Sequence, residues 1–158
     1  MAEKPVYGVC APDEIAGLSG IEFLQAMIAG RLPAPPIAET LGLRLAEVAP
    51  GHAVFEGVPG PHLLNPLGSV HGGWALTLVD SAAGCAIHSL LDAGTGYTTV
   101  ETKANFTRPI RPDGGIVRAE GKMVSLGRQI GTAEVRITDA DGRLVAHGSS
   151  TLMIFVPR

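Results

Sequence analysis

Along the chain, the spacing of apolar and polar positions changes character twice. Residues 1–12 show no period and read as an irregular arm. Ser19-Gly20-Ile21-Glu22 then has the spacing of a capping box, ahead of Phe23, Leu24, Met27 and Ile28 at helical intervals. Gly30 and Pro33 end that short helix. Leu32 to Pro36 is a proline-rich connector, and Pro36 suits the first turn of a second short helix, Ile37 to Leu41, where a missing N–H is not needed. Residues 1–36 therefore predict a lid or brace of the same domain that residues 37–158 complete.

From Leu43 the period shortens. Leu43, Leu45 and Glu47-Val48, then Ala53-Val54-Phe55, predict two strands around the turn Ala49-Pro50-Gly51-His52. A Pro- and Gly-rich loop, Val58 to Val70, leads into a helix-length run, Gly73 to Leu91, that is apolar on nearly every side. Such a helix is expected to be buried all round. Beyond Gly94 and Gly96 alternation returns, with Val100, Thr102, Ala104 and Phe106 on one face and Thr99, Glu101, Lys103 and Asn105 on the other. Further strands are predicted over Ile116 to Leu126, Ile130 to Thr138 and Leu144 to Val156, with turns at Leu126-Gly127-Arg128 and Asp139-Ala140-Asp141-Gly142. Two strands, one long helix and four consecutive strands predict an α+β fold, an antiparallel sheet wrapped around one long central helix.

Composition narrows the class. At 158 residues, with 46% hydrophobic and 17% charged residues, the chain has the apolar content of one folded domain and too much to stay disordered. Two cysteines, Cys10 and Cys85, cannot make a disulfide scaffold or a four-ligand zinc site and point to a reducing compartment. A net charge of −3 argues against nucleic acid as partner. Residues 1–98 hold 3 Lys/Arg against 9 Asp/Glu and residues 99–158 hold 9 against 6, so the second part could receive an anionic ligand. Acids and prolines interrupt the opening residues, and Thr77, Asp80, Ser81, His88 and Ser89 break the apolar run from Trp74 to Leu91. Neither a signal peptide nor a membrane span is expected, and the protein is expected in the cytoplasm.

Two features suggest chemistry. Asn65-Pro66-Leu67-Gly68-Ser69-Val70-His71-Gly72-Gly73-Trp74 delivers a glycine-rich loop into the start of the long helix, where backbone N–H groups lack internal partners and face the positive end of the dipole. The Gly72 and Gly73 amides could bind an oxyanion or carbonyl, or the glycines could only serve a tight turn. Asp80 sits in the middle of the apolar helix, where a carboxylate is costly unless paired or used. It could bond neighbouring hydroxyls such as Thr77 and Ser81, or act as a general base or nucleophile. Eight residues of helix separate Gly72 from Asp80 by about 12 Å. If both act on one carbonyl, they must come from different subunits across a two-fold axis.

These residues carry a resemblance. Asn65, Gly68, His71-Gly72-Gly73 and Asp80, then Val100-Glu101-Thr102-Lys103-Ala104-Asn105-Phe106-Thr107-Arg108-Pro109 and Asp141-Gly142-Arg143-Leu144-Val145-Ala146, resemble the hotdog-fold acyl-CoA thioesterases, in particular their PaaI-like, phenylacetate-pathway branch. The likeness spans roughly residues 37–155. It implies a hotdog fold, an oligomer that is a dimer at least and a tetramer as a dimer of dimers, and hydrolysis of an aryl or medium-chain acyl-CoA to free acid and coenzyme A. It further implies Asp80 as base or nucleophile, the Gly72 amide as oxyanion donor, and His71 as the residue that shapes the turn. Asn65 matches the polar residue that orients water or the acid, and Thr99 a hydroxyl that helps hold the water. Gly68 and Gly73 would border the substrate, while Arg128, Arg108 or Arg111 would meet the coenzyme A phosphates. No metal or separate cofactor is implied, since coenzyme A arrives on the substrate.

Other chemistries find less support. Gly68-Ser69-Val70-His71-Gly72 is not a nucleophile elbow, and Cys85 between Gly84 and Ala86 reads as a packing residue. His52, His62, His88 and His147 lack metal-ligand spacing, and Gly94-Thr95-Gly96 lacks the third glycine of a dinucleotide loop. Two rival readings remain, a hotdog enoyl-CoA hydratase or acyl-carrier-protein dehydratase, and a non-catalytic acyl-CoA-binding module.

Overall fold

A computed structural model describes residues 5–155. Residues 1–4 of the expected arm and Val156 to Arg158 at the end of the last expected strand and of the 37–158 domain lie outside the described residues. The order is α1 (Pro12–Ile15), α2 (Gly20–Ile28), α3 (Pro36–Leu41), β1 (Leu43–Ala49), β2 (His52–Gly57), α4 (Gly72–His88), β3 (Gly96–Phe106), β4 (Val117–Leu126), β5 (Ile130–Thr138) and β6 (Leu144–Phe155). All six strands join one antiparallel sheet in the order β1-β2-β4-β5-β6-β3, and α4 lies across it. This is the expected hotdog fold.

Small residues set how closely the helix lies. Ala75, Ala82, Ala83 and Ala86 of α4 are fully buried, and a Cβ on Gly121 of β4 would stand 2.4 Å from the Ala82 carbonyl oxygen. The groove between them is filled by Leu78, Val79 and Ile87 from α4 and Val135, Ile137, Val145 and Leu152 from β5 and β6. Burial of each such side chain is worth about 1.5–3 kcal/mol. Trp74 ties the start of α4 to α3, its indole N–H donating to the Leu41 carbonyl at 2.9 Å.

The expectation that α4 is buried all round needs correction. Thr77, Asp80, Ser81, Cys85 and His88, at helical spacing, stay partly exposed along one stripe. The N-terminal segment stands over this stripe without filling the space beneath. Glu22 accepts hydrogen bonds from both the amide (2.8 Å) and the hydroxyl (2.6 Å) of Ser19, starting α2 where the spacing predicted. The Gly20 amide then donates to the Leu91 carbonyl at 2.9 Å, and a Cβ on Gly20 would lie 1.7 Å from the His88 carbonyl oxygen. Only glycine permits that approach, and it sets Phe23 against His88 with ring centroids 5.3 Å apart.

Candidate active site

The loop that enters α4 is built around Asn65. Its side-chain oxygen accepts from the amides of Leu67 (2.9 Å) and Ser69 (3.2 Å), and its Nδ2 donates to the Ser69 hydroxyl at 2.9 Å. Gly68 takes the left-handed position of this turn, with φ +83°. Nδ2 has a second hydrogen, so Asn65 keeps one donor for another group. His71 follows as the N-cap of α4, its Nδ1 accepting from the Gly73 amide at 2.9 Å. The expectation of paired glycine donors is thereby corrected: the Gly73 amide is already used, and the Gly72 amide, with no acceptor among the described residues, is the donor left at the positive end of the helix.

Gly72 faces a cleft of about 370 Å³ shared with Phe106 and Arg108. Arg108 makes no ion pair among the described residues, whereas both Arg111 nitrogens that reach Asp113 do so at 3.1 Å. Arg111 is therefore committed within its own loop. Arg128 is exposed in the β4–β5 turn.

Asp80 opens onto a different cavity, of about 420 Å³, which shares no lining residue with the Gly72 cleft. Asp80 Oδ1 accepts hydrogen bonds from Thr99 at 2.8 Å and Thr102 at 3.1 Å, both from β3. Thr102 also meets the Ser150 hydroxyl at 2.6 Å. Thr102 has one hydroxyl hydrogen, so when it serves Asp80, Ser150 must donate to Thr102, giving a chain from Ser150 through Thr102 to the carboxylate. Asp80 Oδ2 takes no hydrogen bond among the described residues.

Strict alternation would have put Thr99 and Thr102 on opposite faces of β3. The pairing with β6 shifts between Thr99 and Glu101, and this bulge at Val100 resets the pleat. The inward set becomes Tyr97, Thr99, Thr102 and Ala104, leaving Val100 and Phe106 more than half exposed at 55% and 54%. The two faces expected for this strand are thus corrected. Thr77, expected as a partner for Asp80, instead donates to the Gly73 carbonyl at 2.9 Å. A one-residue bulge leaves no mark in the hydrophobic pattern, which sets Thr99 and Thr102 on opposite faces and so misses Thr102 as a second partner of Asp80.

The rest of this cavity is uncharged. Burial, reinforced by the nearby Asp80 charge, pushes the Cys85 thiol up to about 12. Burial, then the neighbouring Cys85 and Asp80, raises the Tyr97 phenol, and burial lowers His88 so that its imidazole is neutral. His88 and Tyr97 pack with their rings tilted at 54° and centroids 5.2 Å apart, continuing the row that starts at Phe23. Among the described residues no three His, Cys, Asp or Glu side chains gather to hold a metal ion, and no helix is long and apolar enough to cross a membrane.

Comparison with known proteins agrees with this architecture. The thioesterase superfamily profile matches residues 67–146, which include Gly72, Asp80, Thr99 and Thr102. A thioesterase family protein from Silicibacter pomeroyi superposes with a TM-score of 0.73 at 29% identity, covering 85% of this chain and 96% of that one. A variant of the phenylacetic acid degradation protein PaaI from Thermus thermophilus does so with a TM-score of 0.67 at 31% identity, covering 75% and 97%. The 1,4-dihydroxy-2-naphthoyl-CoA hydrolase of Listeria monocytogenes is 24% identical over 118 residues, 75% of this chain and 94% of its own length. A relative from Halobacterium salinarum is 32% identical over 96 residues, a match spanning 62% of that relative. With the six-stranded sheet, the central helix and this match across its functional half, the chain belongs to the thioesterase superfamily, a family of hotdog-fold thioester hydrolases that includes the PaaI-like proteins.

Proposed function

We propose that the protein hydrolyses acyl-CoA thioesters to a free acid and coenzyme A, with Asp80 as general base or nucleophile. The observation that carries this is the state of its carboxylate: Oδ1 is clamped by Thr99 and Thr102 while Oδ2, beside an apolar cavity, takes no hydrogen bond among the described residues. In the general-base form, Oδ2 takes a proton from water and the hydroxide adds to the thioester carbon. The oxyanion forms against the Gly72 amide, the C–S bond breaks, and the departing sulfur recovers the proton. Thr99 and Asn65 hold water or the acid in place, His71 fixes the turn, and Gly68 and Gly73 shape the loop at the substrate. Arg108 and Arg128 receive the coenzyme A phosphates, and coenzyme A is the only cofactor group involved.

Gly72 and Asp80 open onto separate cavities of one chain, so the reading requires a homodimer at least, with each site built from the Gly72 loop of one subunit and the Asp80 of another. We place this oligomer, as a dimer of dimers, in the cytoplasm, with no nucleic acid or membrane partner. A hydratase finds no support in His71, whose Nδ1 is occupied by the Gly73 amide.

The test is thiol release from aryl, short, medium and long acyl-CoAs with Asp80→Asn alongside. Wild-type release that the variant loses almost entirely supports the reading. Undiminished turnover in Asp80→Asn overturns the role of Asp80, and binding of acyl-CoA without turnover favours the non-catalytic module. Mixing Asp80→Asn with Gly72→Pro, each inactive alone, should restore about a quarter of wild-type turnover through mixed dimers if the site is shared.

A further inference from the structure

The outer wall of the Asp80 cavity comes from the N-terminal segment, through Val9, Ile15, Phe23 and Met27. These residues lie outside the stretch 67–146 that the superfamily profile matches. The segment is held in two ways: Gly20 near its middle is docked on the end of α4, and two backbone bonds at 2.9 Å, from the Gly8 amide to Ala34 and from the Ala34 amide to Val6, tie its arm to its own connector after α2.

Behind this wall lies a second cavity, of about 790 Å³, between the segment and β1. Met27, Pro35, Ala38, Leu43 and Phe55 line both spaces. Ala38, Leu43 and Phe55 belong to the buried core and Pro35 is rigid. Met27 is only partly buried, unbranched and able to swing among several rotamers. It is the side chain at this boundary that can yield.

We propose that the two cavities form one acyl channel and that Met27 is the residue between them that sets the length of acyl chain accepted. The proposal rests on reading Asp80 as the thioester-hydrolysing group. A thioester carbonyl held at Asp80 sends its acyl group along the α4 stripe, past Cys85 and Tyr97, toward Met27. Among the described residues no Lys or Arg lines the first cavity, and Cys85, His88 and Tyr97 there are kept uncharged by burial. Arg44, which borders the second cavity, is paired with Glu56. The substrate class is therefore an uncharged apolar acyl chain, with no distal carboxylate. The wild-type limit falls where the chain end meets Met27, and truncating that side chain opens the second cavity to further methylenes.

The experiment compares saturated straight-chain acyl-CoAs, from butanoyl to palmitoyl, on wild type, Met27→Ala and Met27→Trp. It measures kcat/KM, and dissociation constants in an Asp80→Asn background, with thermal unfolding as the check that each variant is folded. Each methylene newly buried raises the relative preference about fourfold. Met27→Ala should thus raise the long-to-medium ratio by roughly tenfold or more, and Met27→Trp should lower it. If wild type hydrolyses thioesters and the profiles of the folded variants superpose on its own, the gate is refuted while the hydrolase reading stands. If nothing is hydrolysed but chain-length-dependent binding shifts with Met27, the channel stands and the hydrolase reading falls. Absence of both hydrolysis and chain-length-dependent binding overturns the two together.

Discussion

Thr99→Val and Thr102→Val separate two roles that look alike around Asp80. Each replaces a hydroxyl with a methyl of similar shape and removes one donor from Asp80 Oδ1. A hydrogen bond to a charged group is worth about 1.5–3 kcal/mol. If that interaction is needed in the transition state, each variant should lose roughly 10- to 150-fold in kcat/KM. Their stabilities should differ. Among the described residues Thr102 is the only hydrogen-bond partner of the Ser150 hydroxyl, which is 0% exposed, so Thr102→Val strands a buried polar group at a cost of about 1–3 kcal/mol. In a chain of this size that lowers Tm by about 3 to 9 °C. Thr99 has no such second partner among the described residues, and Thr99→Val should melt within a few degrees of wild type. Thiol-release kinetics and calorimetry on the two variants, plus Thr102→Val/Ser150→Ala, check the scheme. The chain of hydroxyls predicts that Ser150→Ala restores Tm without restoring rate. Wild-type kcat/KM in Thr99→Val, or an unchanged Tm in Thr102→Val, would refute the reasoning.

Further outcomes follow from the packing and the charges. Gly121→Ala should destabilise by about 1–3 kcal/mol in denaturant unfolding, because its Cβ would meet the rigid Ala82 carbonyl of α4 at 2.4 Å; an unchanged midpoint would show that helix and sheet can part there. Glu120 is held below its ordinary 4.5 by hydrogen bonds from His52 and Lys122, so its folded pKa is depressed. Its contribution is present above pH 4.5 and lost as pH falls through the lower folded value, and Glu120→Gln should flatten the urea midpoint over that acid range. Cys85, at about 12, should resist alkylation at pH 8 far longer than Cys10, as peptide mass mapping over time will show; equal rates would mean that the α4 stripe opens freely to solvent.

Much of this was legible in the residues because it rests on period and punctuation. The α2 start followed from Ser19 and Glu22, the α4 entry from His71-Gly72-Gly73, and the sheet from alternation broken by turns. Thr99 as a site residue came only from the family resemblance, as a hydroxyl that helps hold the water, and its bond to Asp80 from the structure. That Thr99 and Thr102 meet on one carboxylate was illegible, since the bulge at Val100 that brings the two to one face arises from pairing with β6, a contact some fifty residues away in sequence. The polar stripe of α4 was visible as Thr77, Asp80, Ser81 and His88. In the sequence these residues interrupt an apolar run, and their helical spacing marks the side of α4 that neither sheet nor core covers. The short α1 carries no period, and cavities between segments have no signature along a chain.

The place of β3 at the end of the sheet bears on how the molecule reaches its working form. The chain makes β1, β2 and α4, then β3, but β3 finds no strand to pair with until β6 exists. Thr99 and Thr102 therefore cannot be presented to Asp80 in register by any local hairpin, and Ser150, which completes their network, arrives on that same late strand. Closing so long a loop is slow, and the entropy must be spent before the contact rewards it. The carboxylate clamp is thus expected to assemble late in folding: an intermediate with α4 already seated on β2, β4 and β5 would hold Asp80 in place without its two hydroxyl donors. Recovery of thiol release during refolding should accordingly lag behind recovery of helical signal.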